Sequence, residues 1–222
     1  MPKTDCAIAA AELSSLLGLN VPPLAITFLA EDPVGVQPFD GSRPAPTADG
    51  RTGTVPAGCV FWMHAVERTF ATTAADHGNC SVGSITHGFQ ALGDVADNAD
   101  VRALLAAEWV SAEATSQLPT VSLPPRAVVY GPLAETPIEP DVVFLRVNGK
   151  QLMLLYDAWP GLRFEGKPQC HIIPLARETG EVAISTGCML SRVRTGMSNN
   201  EVTCAVPARR LVELLERLRA AR

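Results

Sequence analysis

The sequence predicts a single domain of the α/β or α+β class, in which a mixed sheet is flanked by helices. Three observations lead to this prediction. Short runs rich in β-branched residues occur in the second half of the chain, and each is bounded by Pro, Gly or Asn. Other stretches repeat apolar residues at helical spacing. A chain of 222 residues with 47% apolar content can also fill one proper core.

In the first half, the elements begin with a helix from about Cys6 to Leu17, and the run PPLAITF then predicts a strand. Residues 31–56 are rich in Pro, Gly, Thr, Asp and Arg and lack periodicity. They predict a long flexible loop of the kind often found near active sites, with plain disorder as the alternative. Three helices should follow, in GCVFWMHAVERTFATT, in NCSVGSITHGFQALG and from about Val101 to Glu113.

In the second half, four runs predict strands: PRAVVYG, PDVVFLRV, EVAISTG and EVTCAVP. The segment VNGKQLMLLYDAW is ambiguous, because Asn148-Gly149 suits a hairpin turn while the apolar residues that follow have helical spacing. We favour the helix. The last helix should have Pro207 in its first turn and one buried face formed by Leu211, Leu214, Leu215 and Leu218.

Composition excludes several classes of partner. The charged residues make up 18% of the chain and the formal net charge is -5, so no basic field is present to hold nucleic acid or an anionic membrane. No run of about 18 apolar residues occurs, which excludes a membrane span. Asp5 and Glu12 interrupt the segment that would have to be a secretion signal. We therefore expect a cytoplasmic protein.

Six cysteines are too sparse for a disulfide scaffold in a chain of this length. A reducing cytosol leaves core packing, metal ligation and catalysis as their uses. Cys204 alternates with Val202 and Val206 along a predicted strand, so we expect it to face the core. Cys6, at the start of the first helix, is expected to be incidental.

Several fragments of the chain resemble the uncharacterised DUF169 family, from about Leu13 to Leu218. In chain order they are PPLAITF, CVFWMHA, NCSVGS, PDVVFLRVNGKQLMLL and STGCMLSRVRTGM. The family's second fragment with a cysteine usually reads Cys-Pro-Gly-Gly, whereas here Ser81 and Val82 stand between Cys80 and Gly83. The resemblance implies the fold neighbourhood and a set of matching cysteines, which are Cys59, Cys80, Cys170 and Cys188.

Each of these four cysteines stands where a predicted loop meets a structured element, next to or near Gly or Pro. Backbone amides can approach a sulfur closely there and lower its pKa. Four thiolates suit either a zinc ion or a [4Fe-4S] cluster. Because the ligands come from separate loops rather than from Cys-x-x-Cys pairs, we favour the cluster, held by three or four of the cysteines, with zinc as the alternative.

Other uses of the four cysteines stay open. They can be small buried residues, or Cys80 or Cys188 can be a metal-free nucleophile with Arg192 stabilising the thiolate. The chain can also be a non-catalytic carrier of a metal, a tetrapyrrole or another small ligand, or a structural zinc protein. A redox or Lewis-acid enzyme that acts on a small molecule is the leading hypothesis. A redox partner and a second copy of the chain are the other candidate partners.

His64 and Arg192 are the candidate catalytic residues. His64 lies five residues after Cys59 and can exchange protons near the site, although a packed side chain is the plainer interpretation. Arg192 follows Cys188 and can offset negative charge or bind a carboxylate or phosphate. The alternative for Arg192 and Arg194 is a solvated pair on an exposed loop.

Overall fold

A computed structural model describes residues 3–41, 58–78, 80–91, 93, 99–108, 111, 113, 116–166, 168–188, 191–192 and 197–221 of the chain. Within these residues a seven-stranded mixed sheet carries helices on both faces. The predicted α/β class with a mixed sheet is confirmed. Of the loop predicted over residues 31–56, the part from residue 42 onward lies outside the described residues.

The sheet has the strand order β2-β3-β1-β4-β7-β6-β5. Neighbouring strands run antiparallel, except that β5 pairs with β6 in parallel. The four predicted strand runs become β3, β4, β6 and β7, and PPLAITF supplies β1. The strands are β1 (Leu24–Leu29), β2 (Phe70–Thr72), β3 (Ala127–Pro132), β4 (Val142–Val147), β5 (Arg163–Gly166), β6 (Ala183–Ser185) and β7 (Val202–Pro207).

The central pair of strands, β4 and β7, sets which residues face which side of the sheet. Leu145 lies opposite Cys204, and the next pair is Arg146 opposite Thr203. Side chains alternate between faces along a strand, so these two pairs point to opposite sides. Leu145 and Cys204 belong to one core, which confirms that Cys204 faces the interior.

Seven α-helices are found in the described residues: α1 (Lys3–Leu17), α2 (Gly58–His64), α3 (Ser81–Thr86), α4 (Ala99–Ala106), α5 (Gly149–Ala158), α6 (Ile172–Pro174) and α7 (Leu211–Ala220). Short 3-10 helices span Leu133–Glu135, Gln169–His171 and Ala208–Arg210, and a π-helix spans Leu175–Thr179. None of the described helices is long and apolar enough to cross a bilayer.

Helices α1, α5 and α7 pack together on one side of the sheet, which we call the aliphatic face. Its core is mostly Leu, Val and Ala, and the four leucines predicted for the last helix are all buried there. The start of α5 is fixed by a capping box: the Asn148 side chain accepts from the Gln151 amide, and the Gln151 side chain accepts from the Asn148 amide. This resolves the ambiguous segment in favour of the helix.

On the opposite side, which we call the aromatic face, lie α2, α3, α6, the 3-10 helix Gln169–His171 and the π-helix. The buried rings of Phe61, Phe70 and Tyr130 contact one another here, and Trp62 packs on Phe144. The four histidines of the chain are also buried on this side.

Three sequence predictions differ from the structure. The helix predicted over GCVFWMHAVERTFATT ends at His64, because residues Phe70–Thr72 pair with β3 as a strand. The helix predicted from Val101 to Glu113 is described as helix only over Ala99–Ala106, with several later residues outside the described set. Pro207 ends β7 and is the N-cap residue of the 3-10 helix Ala208–Arg210. It therefore precedes the last helical segment and does not lie in its first turn.

Candidate functional site

Cys59 enters the aromatic face from the first turn of α2, which packs against β3. It is half-buried and lies against the aromatic core. Two residues later Phe61 is completely buried, and this anchors the helix. Cys59 also lines a narrow cavity together with Arg146 of β4 and Gln169.

Cys80 is the N-cap of α3 and has an extended backbone. Its sulfur accepts a hydrogen bond from the Gly83 amide at 3.4 Å. Sulfur thus takes the position usually held by a Ser or Asp oxygen, where free amides favour a thiolate. A Cβ placed at Gly83 would stand 3.4 Å from the same sulfur, which is close to ordinary van der Waals contact.

Cys170 is the deepest of the four cysteines. It lies in the 3-10 helix Gln169–His171, which packs against α3. Burial raises the pKa of the Cys170 thiol well above its usual value, and the charges of Cys80 and Cys188 raise this pKa further. A hydrogen bond from the Thr86 hydroxyl lowers it, while the charge of Cys59 again raises it. All three other cysteines are therefore near enough to influence Cys170.

Cys188 follows β6, which contacts the same 3-10 helix that carries Cys170. Gly187 has a φ of +89°, a conformation that suits glycine. A Cβ placed there would stand 2.9 Å from Gln169 Oε1, so the chain passes directly beside the residue that precedes Cys170. The Ser191 hydroxyl donates to the Cys188 carbonyl at 2.7 Å and fixes the turn that follows.

The described part of the chain contains no group of three His, Cys, Asp or Glu side chains close enough to hold a metal ion. The four cysteines thus converge on one region without forming a finished ligand set. Their chemistry suits zinc or an iron-sulfur cluster. The predicted ligand set of Cys59, Cys80, Cys170 and Cys188 stays a prediction.

The two remaining cysteines lie on the aliphatic face. Cys204 is fully buried among aliphatic side chains, and burial raises the pKa of its thiol to about 12. Cys6 is buried in α1 within the same core. Neither is placed to join the other four, which agrees with their exclusion from the predicted site.

His64 ends α2 and packs edge-on against Phe39 and Phe70. Its Nδ1 lies 3.4 Å from Arg68 Nη2. This environment is typical of a packed histidine, and no observation tests its predicted catalytic role.

Arg192 holds the chain segment after Cys188. Its guanidinium donates to the carbonyls of Thr186, Ser198 and Glu201. These bonds tie both ends of the segment together, so the guanidinium positions the Cys188 turn through the backbone. Its predicted action on a thiolate or a substrate stays untested, and Arg194 lies outside the described residues.

Sequence reasoning missed a group of polar side chains around the cysteines. Within the described residues they carry buried atoms without a hydrogen-bond partner, and they include Trp62, His77, His87, Tyr130 and Gln169. Burial raises the pKa of Tyr130 well above its usual value, and the charge of Cys170 adds to the rise. The sequence offered one usable clue, since His77 and His87 flank Cys80 and Gln169 precedes Cys170.

A family model matches residues 12–217 of the chain, and the family is DUF169, described as an uncharacterised ArCR. The chain therefore belongs to the DUF169 family, as its fragments predicted. No curated protein and no solved structure matches it. Family membership brings no activity with it, so the function has to be argued from the site.

Proposed function

We propose that this DUF169 protein binds a metal centre, foremost a [4Fe-4S] cluster, through Cys59, Cys80, Cys170 and Cys188, and uses it on a small molecule. The observation that carries the proposal is the convergence of four cysteines from four separate chain segments on one region. Thiolates are the usual ligands of iron-sulfur clusters and of structural zinc.

A bound cation would remove an electrostatic conflict among the four thiols. Burial and the neighbouring charges oppose a negative charge on Cys170. A metal reverses this balance, because its own charge deprotonates a coordinating thiol. The Gly83 amide supports the same change by donating a hydrogen bond to Cys80. The Thr86 hydroxyl donates to the Gly83 carbonyl and is near enough to Cys170 to lower the pKa of its thiol.

The origin of the ligands favours a cluster over zinc. Structural zinc sites usually draw ligands from closely spaced pairs, whereas these cysteines come from α2, α3, a 3-10 helix and the turn after β6. A bound cluster would supply electron transfer, or Lewis acidity if one iron stays open to substrate. The chain itself excludes water around Cys170 and holds the Cys188 turn through Arg192.

Elemental analysis of protein purified and reconstituted without oxygen tests the proposal. We expect iron and sulfide in equal amounts, with visible absorption typical of a cluster. Separate Cys→Ser changes at the four site positions should each lower the iron content. Cys204→Ser is the matched control, because Cys204 is buried like Cys170 but lies on the aliphatic face. It should leave the iron content unchanged.

The outcomes separate the competing functions. Zinc with loss of folding in chelator would indicate a structural zinc protein. A reconstituted protein without iron or zinc would refute the proposal. If the four site variants and the control lose iron equally, the cysteines are not the ligands. Turnover of a candidate substrate by the loaded protein distinguishes an enzyme from a carrier, which binds stoichiometrically.

A further inference from the structure

We infer that the cavity beside Cys59 is a binding site for a small carboxylate, whose oxygens are held by Arg146, Gln169 and Trp62. Met63, Met197 and Thr203 complete the wall of this cavity. As the substrate subsite of the proposed metal centre, the assignment rests on the proposed function. As an anion site it rests on the three polar side chains alone, and these come from three different elements.

Arg146 supplies the positive charge. It is the next-to-last residue of β4, lies on the aromatic face and is only 8% exposed. Its Nε and Nη2 both donate to one oxygen of Glu201, at 3.1 and 2.7 Å. Among the described residues, the hydrogen bonds of Arg146 use Nε and Nη2 but not Nη1. A guanidinium half-satisfied in this way keeps N–H groups for a carboxylate oxygen.

Gln169 and Trp62 line the same cavity and carry further donors. Gln169 is 2% exposed and Trp62 is 3% exposed. The Gln169 amide nitrogen and oxygen and the Trp62 indole nitrogen are buried without a hydrogen-bond partner among the described residues. Buried polar groups are nearly always hydrogen-bonded, so unmet groups that share one cavity indicate a polar occupant.

The balance of donors and acceptors gives the charge of this occupant. Arg146, Trp62 and the Gln169 amide nitrogen all donate, and the Gln169 oxygen is the one unmet acceptor among these three residues. An occupant that mainly accepts hydrogen bonds, beside a buried guanidinium, is an anion. Because Glu201 offsets part of the positive charge, we expect weak binding.

The size of the cavity restricts the anion to a small one. The space now has room for about one water molecule. Two methionines, Met63 and Met197, form part of the wall, and methionine side chains adapt readily to a ligand. A planar carboxylate such as formate can enter after a modest shift of these side chains, whereas tetrahedral sulfate is too large.

Saturation-transfer NMR with formate tests this assignment on the full chain. Formamide is the control probe, because it has nearly the same shape and the same formyl proton but no charge. We expect wild-type protein to give a saturable signal with formate and little signal with formamide. Equal signals from the two probes, or no signal from formate, would overturn the assignment without the need for a variant.

Two conservative variants assign the residues. Trp62→Phe removes the indole N–H, and Gln169→Leu removes the amide at similar volume. Each should raise the dissociation constant for formate at least about tenfold, as expected for the loss of a hydrogen bond to a charged group. Trp159→Phe is the matched control, since Trp159 is equally buried on the aliphatic face. It should bind formate like the wild type, and equal weakening in all three variants contradicts the assignment.

Repeating the titration on a Cys170→Ser/Cys188→Ser protein separates this inference from the proposed function. If that protein binds formate while the wild type takes up no metal, the anion site stands and the metal centre fails. If the wild type takes up iron but gives no formate signal, the metal centre stands and the anion site fails.

Discussion

The two faces of the sheet differ in how completely their buried polar groups are satisfied. On the aliphatic face, the buried Gln151 side chain bonds to the Asn148 amide and also to the Gly18 carbonyl. On the aromatic face, many buried side chains carry atoms without a hydrogen-bond partner in the described chain: Trp62, His77, Ser84, His87, Tyr130, Gln169 and His171. The first face has the character of a scaffold, and we propose that the second is a binding region.

This difference explains why burial alone does not identify functional cysteines. Cys204 and Cys170 are both buried, and burial raises the pKa of both thiols. Cys204 lies in a mostly aliphatic core, whereas Cys170 lies among three other cysteines and unmet polar groups. The neighbours of a cysteine therefore carry more information than its exposure.

Truncation of core side chains should show the largest contrast between the faces. Leu145→Ala on the aliphatic face should lower the free energy of unfolding by about 2–5 kcal/mol, because it leaves a cavity in a close-packed core. Met63→Ala should cost less, since Met63 already borders a cavity. Urea denaturation measures both. An equal or larger loss for Met63→Ala would show that the aromatic face is packed as tightly as the aliphatic face.

Acid should lower the free energy of unfolding by protonating the histidines of the aromatic face. Burial lowers the pKa of His87 to about 4, while the unfolded chain takes up this proton near pH 6.5. The free energy of unfolding should therefore fall by roughly 3 kcal/mol as the pH falls from about 6.5 to about 4. Burial and the charge of His87 lower the pKa of His77 as well, so His77 acts in the same direction.

The measurement is urea denaturation across this pH range, for wild type and for His87→Phe. The phenylalanine keeps the ring contact with Phe28 but cannot titrate. We expect a flatter pH dependence in the variant, and stability should not change through His87 above pH 6.5. An unchanged slope would show that His87 does not resist protonation in the folded state.

The helix caps should differ in what they contribute. Asn148→Ala removes the capping box of α5 and should cost about 1 kcal/mol in urea denaturation. Cys80→Ser should cost less, because a serine oxygen can accept the Gly83 amide in place of sulfur. The same variant should nevertheless lose metal. A large loss of stability with full metal content would assign Cys80 to structure alone.

The smallest effect is expected at Tyr130. Its hydroxyl is buried without a partner in the described residues, so Tyr130→Phe should change the free energy of unfolding by no more than about 0.5 kcal/mol, or raise it. Thr72→Val is the control, because the Thr72 hydroxyl donates to the Val128 carbonyl at 3.1 Å and lies 3.0 Å from His77 Nε2. It should cost at least about 1 kcal/mol. Similar losses in both would mean that the Tyr130 hydroxyl has a partner in solution.

The elements predicted correctly are those whose signals are local. The spacing of Leu211, Leu214, Leu215 and Leu218 defines a buried helix face by itself, and the apolar run of β4 defines a buried strand. In contrast, β2 has only three residues and exists through its pairing with β3. The edge strand β5 has the sequence RFEG and an exposed Phe164. It therefore lacks the alternation of buried apolar and exposed polar residues that predicts a strand.

The candidate site was predictable only in part, for the same reason. Cys59, Cys80 and Cys188 lie in short fragments that resemble the family, and Cys170 was predicted from the family's order of cysteines. Arg146 reads as one charged residue in an apolar run, and its position near Cys59 and Gln169 depends on how α2 and a 3-10 helix pack on the sheet. Contacts between such distant segments leave no local pattern.

The pairing of β4 with β7 links the scaffold to the binding region. Leu145 and Cys204 point one way, and Arg146 and Thr203 point the other. A single-residue insertion early in β4 would exchange these layers, driving a guanidinium into hydrocarbon and a leucine into the anion cavity. Indels in this ladder should therefore abolish folding and ligand binding together, whereas side-chain replacements can alter each layer separately.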